Sequence, residues 1–239
     1  PYRDDNEPPP LPDAYAAVVK RATRDLDCRL IFEPGRLLVG NAGILVTRVL
    51  FIKQGEAKTF VIVDAAMNDL VRPTLYEAHH EIRPVREPDA ASRRIRADVV
   101  GPVCESGDFL ALDRDLPEAK PGDLMAVMSA GAYGAVQAGT YNTRALVPEV
   151  MVRDDQWAVV RPRLDADQLI ALDRLPPWMA GCNSVNWADG FLRSGATARG
   201  RRGDGAAIGR SRHYANGIFR RVFGAGAQAR PWCVAVGAR

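Results

Sequence analysis

The chain has 239 residues, of which 47% are hydrophobic and 26% charged. This mix excludes a collagen-like or disordered protein, and the length allows the buried core of one large domain or two small ones. The net charge of +3 averages two unlike parts: residues 1–179 hold 22 Lys and Arg against 27 Asp and Glu, whereas residues 180–239 hold 10 Arg, no Lys and only Asp189 and Asp204 as acids. A nucleic-acid partner would rest on that basic tail alone, which offers charge without interleaved aromatics or helical periodicity, so no specific nucleic acid is expected.

Cys28, Cys104, Cys182 and Cys233 form no C-x-x-C pair and no metal-binding spacing with His, so no metal site is expected. Four thiols at this length do not suggest a disulfide framework, and a reducing, cytoplasmic setting is the expectation. No apolar run approaches the roughly 18 residues of a membrane span. The opening PYRDDNEPPPLP lacks the basic-then-apolar pattern of a secretory leader. The chain starts at Pro1 rather than Met, so it is expected to be a fragment or a processed product.

In chain order, residues 1–12 are Pro-rich and acidic and read as an extended loop. Asp13 is placed to cap a helix, and Tyr15, Val18, Val19, Ala22 and Leu26 recur at helical spacing, predicting an amphipathic helix to about Leu26. Arg29-Leu30-Ile31-Phe32 reads as a buried strand that ends at Glu33-Pro34-Gly35-Arg36. Helix, strand and turn in that order look like one unit of a (β/α)8 barrel, where functional groups sit at strand ends. From Gly43 the period becomes that of strands. They are predicted at 44–53 and 59–64, joined by a hairpin at Gln54–Ala57, then at 81–85, 96–103, 108–113, 123–128, 146–153 and 156–162. Many short strands predict an antiparallel sandwich or barrel. Asp165 to Arg174 reads as a helix stopped by Pro176-Pro177. Arg, Gly and Ala make up 33 of the 60 residues in 180–239, and this tail is expected to be disordered or non-native.

Four strings could carry chemistry. In Glu33-Pro34-Gly35-Arg36, a Gly lets backbone N–H groups approach a phosphate, Arg adds a planar cation, and Glu could accept from a protonated ring nitrogen. The plainer reading is a Pro-Gly turn with a surface ion pair. In Asn68–Tyr76, Arg72 and Tyr76 are four apart and on a helical turn could grip one carboxylate, or be simply an exposed Arg and a half-buried Tyr. In Gly101–Asp108, a thiol of ordinary pKa about 8.5 at Cys104 could protonate a carbanion, and Glu105 could hold an ammonium group. A small buried Cys beside a solvated Glu is the alternative. In Ser129–Gly134, small residues around Tyr133 suit a flat ligand, or a tight turn at a strand end. His79-His80 has no third ligand and reads as part of a polar face; His213 is given no role.

In this order and at about this spacing, the four strings resemble the diaminopimelate decarboxylases, pyridoxal-phosphate enzymes of the alanine-racemase-like fold. The resemblance runs from residue 1 to about 179, and Asn68–Tyr76 with Cys104–Asp108 make it specific. It implies a barrel remnant over 1–42 and a β-rich C-terminal domain over 43–179, with the tail 180–239 outside the family. It implies that Glu33 pairs with the pyridinium nitrogen, that Gly35 and Arg36 hold the phosphate, and that Arg36 also meets a substrate carboxylate. Arg72 and Tyr76 would bind carboxylate, Glu105 the distal ammonium, and Tyr133 both cofactor and substrate. Cys104 would protonate the carbanion, with Cys104 and Glu105 supplied by the neighbouring subunit of a homodimer. The implied substrate is meso-diaminopimelate and the product L-lysine.

Departures from the family bear on activity. None of Lys20, Lys53, Lys58 and Lys120 matches the context of the Lys that holds the cofactor covalently, so the chain alone is expected to be inactive. The 28 Arg to 4 Lys suit a GC-rich gene, in which a frameshift would yield such a tail. A decarboxylase for ornithine, arginine or lysine is the nearest alternative. A non-catalytic, dimerising β-domain with a basic tail is another.

Overall fold

The computed structural model describes residues 10–89 and 91–179 and the backbone of 233–236. Helix α1 spans Pro12–Ala22, with Pro12 at its first turn, where a missing N–H does no harm. Leu11 stands at the N-cap and makes no side-chain cap, so Asp13 falls within the first turn rather than at the cap. The helix stops short of the predicted Leu26 because Thr23 leaves helical geometry, its hydroxyl donating to the Val19 carbonyl at 2.8 Å. No residue of α1 is buried.

The strand predicted at 29–32 is not formed. Leu30, Ile31 and Phe32 are 45%, 77% and 53% exposed, and among the described residues no strand lies beside them. An apolar run becomes a strand only where a partner accepts its backbone hydrogen bonds. A short helix α2 (Gly35–Val39) follows and tightens into one 3-10 turn, Gly40–Ala42.

The body is a single mixed sheet. Its strands are β1 (Gly43–Gln54), β2 (Thr59–Val63), β3 (Ile82–Pro84), β4 (Arg94–Val100), β5 (Phe109–Pro117), β6 (Leu124–Val127), β7 (Glu149–Arg153), β8 (Gln156–Arg161) and β9 (Cys233–Val236). Between them lie α3 (Arg72–Tyr76) and α4 (Ala166–Ile170). The long β1 organises everything. Its outer half pairs antiparallel with β2 (Lys53↔Phe60), across the predicted hairpin. Its inner half pairs antiparallel with β6 (Leu45↔Val127), which also carries β3 (Ile82↔Val127). Beyond β2 come β4 and then β5, and on the other side of β1 come β9, β7 and β8.

Two pairings are parallel, β2 with β4 and β1 with β9, where the sequence suggested antiparallel neighbours throughout. The connection from Val63 to Arg94 holds α3 and β3, which gives it the length to return the chain to the same end of the sheet. The expectation for 180–239 lies outside the described residues, except that Cys233–Val236 form β9. Helix α4 is shorter than predicted, but Asp165 caps it in a reciprocal box with Gln168. Among the described residues no helix is long and apolar enough to cross a membrane.

The core follows from alternation along these strands. Leu45 and Val49 of β1, Val61 and Val63 of β2, Val99 of β4, Leu110 of β5 and Val127 of β6 are all buried in one cluster. Ile44 and Val46 face the opposite way and pack with Val85 and Ala126. Each such Leu, Ile or Val side chain contributes about 1.5–3 kcal/mol by leaving water. Thr47 is fully buried at the crossing, and its hydroxyl donates to Asp64 Oδ1 at 2.8 Å while accepting from the Ala65 amide. This sheet is the rigid frame from which the loops after β2, β4 and β6 project.

Candidate active site

The loop after β6 is seated by the turn that precedes β1. The Ala130 amide donates to the Gly43 carbonyl at 2.8 Å, the Gly131 amide to Gly40 at 3.2 Å, and Ser129 Oγ to Asn41 Oδ1 at 2.9 Å. Gly131 is required by contact: a Cβ there would overlap the Val39 carbonyl oxygen and lie 2.8 Å from the Gly43 nitrogen. The small residues around Tyr133 therefore serve the approach of two backbones. Tyr133 has φ 60°, the left-handed region, a conformation that bulky residues hold only where the surroundings impose it. The docking brings α2 over the ring, with the Arg36 guanidinium carbon 5.5 Å from the ring centroid.

A second guanidinium reaches the same ring. Arg72 opens α3, is only 7% exposed, and its guanidinium carbon lies 5.6 Å from the Tyr133 centroid. Its Nε donates to His80 Nε2 at 3.3 Å. His80 is fully buried, and its Nδ1 pairs with the Met128 carbonyl at 2.8 Å. Burial, with the positive charges of Arg72, His79 and Arg114, lowers the His80 pKa from 6.5 to about 4 against the raising effect of the Met128 hydrogen bond. Tyr76, one turn after Arg72, is 60% exposed, and α3 ends at Glu77 in the left-handed region.

The Cys104 loop is built around Asp108. Its buried carboxylate accepts from the Met67 amide at 2.7 Å and from the Val103 amide at 2.6 Å. A Cβ on Gly101 would overlap that carboxylate. The loop is pinned to α3 by the Thr74 hydroxyl, which donates to the Gly107 carbonyl. Cys104 and Glu105 are exposed at its tip. Glu105 accepts from the Gly107 amide at 3.1 Å and from the Tyr141 hydroxyl at 3.4 Å. Asn68, itself buried, donates to the Gly139 and Tyr141 carbonyls and so holds the segment that carries Tyr141.

The fold thus unites Arg36, Arg72 and Tyr133 in one cluster, and joins Cys104 and Glu105 on a separate loop. Arg72 and Thr74 point to different partners because residues two apart on a helix stand roughly 200° apart around its axis. Among the described residues no contact joins Glu33 to the cluster; it stands exposed in irregular backbone. Gly35 has open space beside it, with nothing within 4 Å of a would-be Cβ. Sequence reasoning missed His80, Asn68 and Tyr141, and gave Asp108 no role. The one signal for Asn68 was its place in the Asn68–Tyr76 string. A cavity of about 310 Å³ opens elsewhere, between the β1–β2 turn and β4, where Lys58 pairs with Asp98 at 3.0 Å and Arg96 with Asp113 at 2.5 Å.

A mostly β frame displaying two cationic side chains over one tyrosine, beside a Cys-Glu loop, is the pattern of a carboxylate- or phosphate-handling enzyme domain. Residues 14–131 match the family model described as pyridoxal-dependent decarboxylase, C-terminal sheet domain. The chain belongs to the pyridoxal-dependent decarboxylases through this sheet domain. It is 49% identical over 178 residues to diaminopimelate decarboxylase of Zymomonas mobilis, covering 74% of this chain and 42% of that one. It is 52% identical over 176 residues to the same enzyme of Pseudomonas aeruginosa, covering 74% and 41%. The crystal structure of diaminopimelate decarboxylase from Helicobacter pylori complexed with L-lysine superposes with TM-score 0.62 at 43% identity, covering 71% of this chain and 41% of that one. The chain therefore spans about two fifths of the length of the curated relatives it matches.

Proposed function

We propose that this chain forms the C-terminal sheet portion of a pyridoxal-phosphate-dependent decarboxylase that converts meso-diaminopimelate to L-lysine and carbon dioxide. The observation that carries the reading is the approach of Arg36 and Arg72, at 5.5 and 5.6 Å, to the single ring of Tyr133. Two planar cations and a phenol form a donor set suited to a phosphate and a carboxylate together. That donor set, and the open space beside Gly35, fit pyridoxal phosphate. When bound, the cofactor supplies the electron sink for the pair released as carbon dioxide leaves.

The chain's own residues do the rest. Gly35 and Arg36 would hold the phosphate end, Tyr133 would contact cofactor and substrate, and Glu33 would pair with the pyridinium nitrogen. Arg72 would grip a substrate carboxylate through its guanidinium, helped by the Tyr76 hydroxyl, with Arg36 adding a second contact to a substrate carboxylate. After the C–C bond to the carboxylate has broken, the Cys104 thiol would deliver a proton to that carbon: its S–H bond breaks, the C–H bond forms, and the thiolate regains a proton from solvent. Glu105 receives the distal ammonium, and the Tyr141 hydroxyl steadies it. Cys104 and Glu105 work in the site of a second copy, in a homodimer. Their loop is pinned through Thr74, which departs from α3 in a different direction from Arg72. Exposed thiols at Cys28 and Cys104 accord with a reducing, cytoplasmic setting.

The test is turnover by the complete gene product carrying this chain, loaded with pyridoxal phosphate. Lysine and carbon dioxide are expected from meso-diaminopimelate in preference to products from ornithine, arginine or lysine. Faster turnover of ornithine would overturn the substrate assignment.

A further inference from the structure

We propose that His80 is a positioning residue: by accepting the Nε–H of Arg72 it fixes the plane of that guanidinium and aims the remaining N–H groups at the substrate carboxylate. The inference rests on the reading of Arg72 as a substrate ligand.

The partners of His80 fix the role of each ring nitrogen. A carbonyl oxygen can only accept, so Nδ1, 2.8 Å from Met128 O, carries the proton. A guanidinium can only donate, so Nε2, 3.3 Å from Arg72 Nε, presents its lone pair. The imidazole is therefore neutral and in one tautomer. Burial and the surrounding charges of Arg72, His79 and Arg114 lower its pKa to about 4, which keeps it an acceptor at neutral pH.

His80 holds the guanidinium at its Nε edge and Tyr133 lies against its face. A planar fork restrained in this way has a defined direction for its terminal N–H groups. The support behind His80 is equally firm. Its carbonyl accepts from Arg114 Nη2 at 2.9 Å, and the next residue, Glu81, accepts from the Met128 amide at 2.7 Å. Met128 directly precedes the Ser129–Gly134 loop, so one segment anchors both the imidazole and the phenol that flank Arg72.

Two variants of the holoenzyme separate positioning from mere filling of space. His80→Asn keeps a donor near the Nδ1 position but offers Arg72 nothing, whereas His80→Gln can present an acceptor to Arg72. The expected result is a KM for the amino-acid substrate raised about tenfold by His80→Asn, the scale of one hydrogen bond to a charged group. His80→Gln should restore most of it, with kcat little changed in either. Unchanged KM in His80→Asn, or equal losses in both variants, would overturn the proposal. A second readout needs no turnover: in 15N-histidine-labelled wild-type holoenzyme, assigned against His80→Gln, His80 should be protonated at Nδ1 alone between about pH 6 and 8. An Nε2–H tautomer or an imidazolium there would also overturn it. Failure of the function reading would show separately, as absence of amino-acid decarboxylation by the wild type, while the tautomer still decides the His80–Arg72 bond.

Discussion

Acidification perturbs His80 in a way that can be worked out in advance. Burial is the largest cause of its lowered pKa, and the positive charges of Arg72, His79 and Arg114 add to it; the Met128 carbonyl opposes them. The ordinary value is 6.5 and the folded value about 4. Between these, the unfolded chain binds a proton that the folded chain refuses, so stability rises with pH across the window. The contribution is complete above about pH 6.5 and is lost as pH falls through about 4. The difference of about 2.5 pKa units, at 1.36 kcal/mol each, amounts to about 3 kcal/mol. That is a large share of the roughly 5–15 kcal/mol that stabilises a typical domain.

Carboxylates titrate in the same range, and His79 pairs with Glu81 at 2.7 Å, so the wild-type curve alone does not isolate His80. The assay is urea unfolding of wild type and His80→Gln at several pH values from about pH 7 to about pH 4. Gln cannot titrate, and every other group is common to both proteins. The wild type should lose about 3 kcal/mol more than the variant over that range. Parallel stability curves for the two proteins would refute the buried, neutral imidazole.

Four further outcomes are expected. Gly131→Ala forces its new Cβ onto the Val39 carbonyl and should lower stability by about 1–3 kcal/mol while weakening cofactor binding in a fluorescence titration, because Arg36 moves off Tyr133; unchanged stability and affinity would contradict this. Asp108→Ala strips the acceptor from the Met67 and Val103 amides and should cost about 3–6 kcal/mol in urea unfolding, at roughly 1.5–3 for each bond; a loss below about 1 kcal/mol would show that the loop does not depend on it. Cys104→Ala should lower kcat about a hundredfold or more with cofactor affinity retained, as removal of a general acid does; an unchanged kcat removes Cys104 from the chemistry. Arg72→Lys keeps the charge but loses the Nε–H and the planar stack, and should raise KM about tenfold; a wild-type KM would reduce Arg72 to a point charge.

Most strands were legible because β-branched and apolar residues alternate with polar ones, as in β1 and β2, and because Gly and Asp mark the turns between them. Strand direction was not, since periodicity is the same whichever way a neighbour runs; β2 beside β4 is parallel only because α3 and β3 intervene. The run at 29–32 misled for a related reason: apolar side chains show that a segment could be covered, not what covers it. At the candidate site, the residues the sequence brings forward are those in recognisable strings, namely Glu33, Gly35, Arg36, Arg72, Tyr76, Cys104, Glu105 and Tyr133, of which the fold gathers Arg36, Arg72 and Tyr133. The illegible ones act on other residues across long separations. His80 looked like part of a polar face because nothing nearby in sequence reveals Met128, 48 residues on, as its partner. Asp108 sat inside a recognised string, yet its work is done on Met67, 41 residues back. Gly101 and Gly131 passed as small members of their strings, whereas their requirement comes from an Asp108 carboxylate and a Val39 carbonyl that leave no room for a side chain. Candidate ligand-binding groups are therefore suggested by residue type, while the groups that hold them in place are defined by tertiary contact, and it is the second set that brings Arg36 and Arg72 to Tyr133.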